Sequence, residues 1–142
     1  FAHGIDHLVA VAKLKGHGRQ YGVARLDAGR TRRGQRNVEL LVEKPDAQHP
    51  IYRRDDASDA SGVYSVVGRY VLSPSIMSAL VAVRAEQDAD EKLELLDALQ
   101  WLIDRQRETV AAYILPSLIQ LVRDQTIFVA GAPRASTITH IA

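Results

Sequence analysis

The alternation of apolar and polar positions divides the chain into strand-like and helix-like stretches. HLVAVAKL (7–14) is a β-branched-rich apolar run of strand length, closed by the turn-forming KGHG, and it predicts a buried strand. YGVARLD (21–27) and RNVELLVEKP (36–45) flank the Gly-rich polar segment AGRTRRGQ, the pattern of a hairpin. Pro45 has no N–H to give to a ladder and is expected to end the second strand. Residues 46–62 are polar and predict a loop, and VYSVVGRYVLS (63–73) then carries the strongest strand pattern. In SPSIMSALVAVRA the spacing becomes helical: Ser73 can cap, Pro74 suits the first turn, and Ile76, Leu80 and Val83 share a face. After an acidic stretch a second helix is predicted over about Leu93–Arg107. Its apolar side is Leu95, Leu96, Leu99, Leu102 and Ile103, and its polar side Glu94, Asp97, Gln100 and Asp104. TVAAYIL (109–115) predicts a last strand, interrupted by Pro116, and the remainder begins as a short helix and turns ambiguous. Strands and helices mixed in this order predict an α/β layer architecture without internal repeats.

Composition narrows the class. At 142 residues, 46% hydrophobic and 25% charged, the chain is one globular domain able to bury a core. It has no apolar run of membrane-spanning length and no secretory start, so the cytosol is the default expectation. With no cysteine, disulfides, thiolate zinc sites and cysteine nucleophiles are excluded. The chain begins at Phe1, as a piece of something longer would. The net charge of +1 hides an asymmetry: residues 1–54 hold 11 Lys/Arg against 5 Asp/Glu, and residues 55–108 hold 5 against 11. The basic half suits phosphate and the acidic half a cation.

Few residues rise above this background. Glu43-Lys44-Pro45 places a carboxylate and an ammonium side by side at a strand end, which is either a ligand site or a solvated strand exit. His3 and His7 have an i, i+4 spacing that would suit a metal on a helix, but they lack an acidic third ligand. Arg30, Arg32, Arg33 and Arg36 could grip phosphate or nucleic acid; without interleaved aromatics they read better as a solvated tip. RRDDASD is a self-compensating loop, and Trp101 lies beside the polar helix face, either under a loop or at a partner surface.

Three stretches taken together resemble a known family. YGVARLD followed by VEKP, then VVGRYVLS, then DEKLELLDALQWLIDRQRETVAAY, are similar in order and spacing to the second half of bacterial UTP-glucose-1-phosphate uridylyltransferases, members of the sugar nucleotidyltransferase family. The resemblance covers about residues 5–115. It implies a partial nucleotide-diphospho-sugar transferase (Rossmann-like) fold, a mixed β-sheet with flanking helices, in which residues 1–115 are the sugar-phosphate-binding half and 116–142 a divergent tail. The implied reaction is UTP plus glucose 1-phosphate giving UDP-glucose and pyrophosphate. Glu43 would accept hydrogen bonds from sugar hydroxyls, and Lys44 would lie near the phosphate. Gly22 would admit the sugar to the backbone, and Gly68 would keep the neighbouring strand small beneath it; both also read as bulge glycines. Asp97 would help to hold Mg2+, for which carboxylate oxygen is the right donor. Family members usually carry Thr before this aspartate, where Leu96 stands here.

The same resemblance marks what is missing. Nothing in residues 1–142 matches the family's Gly-rich nucleotide loop, and ILPSLIQLVRD replaces its lysine and Asp-Cys-Gly segment. The portion would therefore not be active alone. Two readings follow. One is the sugar-phosphate or UDP-sugar half of a uridylyltransferase that lacks its N-terminal half. The other is a truncated, inactive descendant serving as a binding or homo-oligomeric assembly module through an exposed sheet edge. A membrane is not expected as a partner, and nucleic acid is disfavoured.

Overall fold

The computed structural model describes residues 4–14, 21–27, 35–53 and 62–115. Each apolar run expected to be a strand is one: β1 (His7–Lys13), β2 (Gly22–Leu26), β3 (Gln35–Glu43), β4 (Val63–Val71) and β5 (Val110–Leu115). The helices are α1 (Ser75–Glu86) and α2 (Leu95–Gln106). β2 and β3 form the predicted hairpin, with Gly22 opposite Glu43 and Ala24 opposite Leu41. β4 runs antiparallel to both β1 and β2. β5 returns parallel to β1, from Val110 opposite His7 to Leu115 opposite Ala12. α1 and α2 carry the chain from β4 to β5, on the other side of β1. The result is the expected mixed sheet with flanking helices.

One buried cluster joins the sheet to the helices. Val9, Val11, Ala24, Leu26, Leu41 and Val66 of the strands meet Ile76, Ala79 and Val83 of α1 and Leu96, Leu99 and Leu102 of α2. Leu26, Leu96, Leu99 and Leu102 are at most 1% exposed, and burying each contributes about 1.5–3 kcal/mol. α1 carries apolar residues on its outer face as well, and Met77 and Val81 remain there at 65% and 72% exposure. Among the described residues no helix is long and apolar enough to cross a membrane.

The open sheet edge expected of a half-domain is not there among the described strands. The sheet closes on itself in the order β1-β4-β2-β3-β5. β5 pairs with β1 on one side and with Gln35–Asn37 of β3 on the other. Further along β3, α2 takes over: the Gln100 side-chain oxygen accepts from the Leu41 N–H at 2.7 Å. A backbone donor that would otherwise lie open is thereby satisfied.

Local chemistry also departs from expectation. Ser73 does not cap α1; Pro74 is the N-cap, without a side-chain cap bond. The Ser73 hydroxyl instead lies 2.9 Å from that of Ser75, next to buried His7. Nor does Pro45 by itself end β3. The Lys44 N–H still donates to Tyr21 O at 3.0 Å, and the chain turns away because Lys44 adopts a φ of 46°. The loop after it contains a 3-10 turn, Pro50–Tyr52, clasped by Arg25 Nη2, which donates to the carbonyls of Pro50, Ile51 and Arg53. His3, Arg30, Arg32, Arg33, most of RRDDASD and the tail 116–142 lie outside the described residues.

Candidate functional site

Glu43 is the last residue of β3. Alternate side chains on a strand share a face, so it follows Leu41 on the side covered by α2 and stands at the rim of the core. Opposite it on β2 is Gly22. A Cβ on Gly22 would lie 2.4 Å from Leu96 Cδ1, 3.3 Å from Glu43 Oε2 and 3.4 Å from Val66 Cβ. Glycine is therefore needed here so that α2 can pack down, and the same packing brings Leu96 beside the Glu43 carboxylate. Lys44 follows immediately, exposed and held in the left-handed region that side-chain-bearing residues rarely adopt.

Electrostatics gathers further groups around Glu43. Burial, first, and then the Glu94 charge push its carboxyl above the usual glutamate range; Lys44 opposes this, Asp97 adds to it, and Lys92 opposes it. The Asp97 carboxyl is likewise raised by burial and by Glu94 and Glu91. Burial also raises the Tyr70 hydroxyl, and Glu43 and Glu94 raise it further. Residues from β3, β4 and the start of α2 thus share one acidic field. Lys92 Nζ, 3.3 Å from Glu94 Oε1, partly offsets it.

Glu94 and Tyr70 are the members that sequence reading missed. Glu94 occupies the N-cap of α2 without making a side-chain cap bond, and its carboxylate is paired with Lys92 instead. The Glu94-x-x-Asp97 spacing was an available signal, because i and i+3 on a helix share a face. Tyr70, within Gly-Arg-Tyr, had none beyond its strand. Among the described residues no group of three His, Asp or Glu side chains is arranged to hold a metal ion. Glu43, Glu94 and Asp97 therefore share a field and not a coordination sphere. Asp97 still fits a hard divalent cation as one donor of several, since carboxylate oxygen suits such an ion, and a cation would offset the burial of its charge and the Glu94 and Glu91 charges that together raise its proton affinity.

The remaining candidates separate cleanly. Gly68 has a φ of +80° and open space where a Cβ would be. It lies in the irregular stretch of β4 where the register with β1 slips, Val9 pairing with Tyr70 but Val11 with Val66. Glycine serves the backbone there and sets how Tyr70 re-enters the strand. His7 is on β1, not on a helix, and is fully buried. Its Nδ1 accepts from Ser73 N–H at 3.2 Å, which leaves Nε2 to donate to Glu108 Oε2 at 2.7 Å. That is a lock between chain segments. Trp101 packs partly buried against the core, its indole N–H without a partner. Arg36 lies on β3 and donates from Nε to Asp27 O at 2.8 Å.

Comparison with known proteins bears on this arrangement. A family model described as nucleotidyl transferase matches residues 3–115. The fold is similar to a UDP-glucose pyrophosphorylase solved in complex with UDP-glucose, with 25% identity and a TM-score of 0.55, over 78% of this chain and 36% of that one. It is also similar to a UTP-bound UGPase from Acinetobacter baumannii, at 21% identity and a TM-score of 0.52, over 96% of this chain and 44% of that one. At the lower identity the likeness concerns the fold alone. The chain spans less than half of either structure. No curated protein matches it.

Proposed function

This chain belongs to the nucleotidyl transferase family, and we propose that it is the sugar-phosphate-binding portion of an enzyme forming UDP-glucose and pyrophosphate from UTP and glucose 1-phosphate. The observation that carries the reading is the coupling of an acceptor and a cation at one strained strand exit. Glu43 ends the core-facing row of β3, and Lys44 beside it has a φ of 46°. That conformation costs about 1–2 kcal/mol, and such strain concentrates at functional sites.

In this reading an oxygen of glucose 1-phosphate attacks the α-phosphorus of UTP in line. A new P–O bond forms as the bond to pyrophosphate breaks, and pyrophosphate leaves with the electron pair. The protein's part is to position anions and neutralise charge. Ionised Glu43 accepts hydrogen bonds from sugar hydroxyls, which selects a ligand that has them, because a buried acceptor left unpaired is costly. Lys44 sets a positive charge beside the sugar's phosphate. Gly22 forms the floor under the Glu43 carboxylate, and Gly68 shapes the strand that delivers Tyr70. When bound, Mg2+ would supply charge neutralisation at the phosphates, with Asp97 as the oxygen donor this chain offers.

Calorimetric titration tests the reading. UDP-glucose with Mg2+, and separately glucose 1-phosphate, is expected to bind saturably to the folded chain, and Glu43→Ala to abolish the signal. A folded chain that binds neither ligand at millimolar concentration overturns the proposal.

A further inference from the structure

The space above Gly22, which faces Glu43 across the hairpin, is taken not by a charge but by a leucine. Leu96, in the first turn of α2, is 1% exposed. Its Cδ1 and Glu43 Oε2 close on the same point above Gly22, at 2.4 and 3.3 Å from where a Cβ would sit. The packing of Leu96 over Gly22 bounds the space open to the Glu43 side chain. The next residue of the helix, Asp97, carries the acidic field. The carboxylate therefore has an apolar wall on one side and like charges on another.

We propose that Leu96 is a positioning residue for Glu43: its δ-methyl closes the side of the carboxylate facing Gly22 and α2, leaving the oxygens to accept only from the open side where a ligand hydroxyl arrives. This rests on the sugar-binding reading of Glu43 and adds to it a residue that touches no ligand itself. The wall also keeps water from one flank of the carboxylate, in line with burial being the largest cause of its raised proton affinity.

The test is a carbon-13 NMR titration of the Glu43 carboxyl in the ligand-free chain, combined with glucose 1-phosphate calorimetry near neutral pH. Both are run on the wild type, Leu96→Ala, Leu96→Val and Leu96→Met. Leu96→Val removes one methylene and keeps the core filled, so it carries the test where Leu96→Ala does not fold. Truncation is expected to lower the Glu43 midpoint toward the ordinary value of 4.5. It should also weaken glucose 1-phosphate about tenfold, the scale of one misfitted methylene in a pocket, while Leu96→Met restores both. A midpoint unmoved in a folded truncation variant overturns the proposal, even where the wild type binds the sugar phosphate normally. A midpoint that moves in a chain that binds no sugar phosphate upholds the positioning role and removes the functional reading instead.

Discussion

Lys44 and Glu43 are adjacent and both cost the fold stability, one through its backbone and the other through its charge. The left-handed backbone of Lys44 strains a residue with a side chain and is free to glycine. Lys44→Gly is therefore expected to raise stability by up to about 1 kcal/mol in urea unfolding, the strain relieved less the entropy glycine loses. The same variant should bind glucose 1-phosphate more weakly; unchanged affinity would remove Lys44 from the phosphate site. Glu43 titrates above its ordinary 4.5 when folded. Between the unfolded and folded values the folded chain holds more protons, so its stability falls as pH rises through that window. Glu43→Gln removes this penalty. The variant should gain on the wild type as pH rises from about 4 toward 7 and lose that gain below the window. Sugar-phosphate affinity of the wild type should run the other way, rising with pH as the acceptor ionises. A pH-independent difference in denaturation midpoints between the two proteins would refute the linkage.

At the scale of elements, α2 connects the core to the site. Its apolar face was legible in the periodicity of Leu96, Leu99 and Leu102, all buried as that spacing requires. Its polar face was not, because Gln100 looks like any solvated residue until β3 is placed beneath it. There its side-chain oxygen accepts from Leu41 N–H at 2.7 Å, while its amide donates to Asp104 at 3.0 Å. Gln100→Ala orphans a backbone donor and is expected to cost about 1–2 kcal/mol. Faster hydrogen exchange at the Leu41 amide is the specific signature, and unchanged exchange would show that α2 docks by apolar contact alone.

For the whole molecule, closure depends on where β5 begins. Asp6 Oδ2 accepts from Thr109 N–H at 2.8 Å, and Thr109 O accepts from the N–H groups of Asp6 and His7. His7 then reaches Glu108 at 2.7 Å and takes the Ser73 N–H at 3.2 Å, while the Ser75 hydroxyl donates to Glu108 at 2.8 Å. One buried ring thus pins the starts of β1, α1 and β5 together. His7→Phe leaves the Ser73 N–H without its acceptor and takes a donor from the Glu108 carboxylate, which keeps the Ser75 hydroxyl, and should cost about 2–4 kcal/mol. Thermal unfolding should still be a single transition, since the ring joins parts of one core; an unchanged melting temperature would discount it.

The sequence by itself determined the strands, the helices and the hairpin, because apolar period and turn chemistry are properties of neighbouring residues. It also nominated Glu43, Lys44 and Asp97 as candidates through ordered motifs. The tertiary structure decided which distant residues meet: Leu96 over Gly22, Glu94 and Tyr70 in the field of Glu43, Ser73 turned from cap to buried partner, and β5 closing the edge that a half-domain was expected to leave open. Spacing along a chain reports only which face a side chain takes. What that face meets is settled by packing between segments tens of residues apart, and the same packing sets proton affinity and backbone strain.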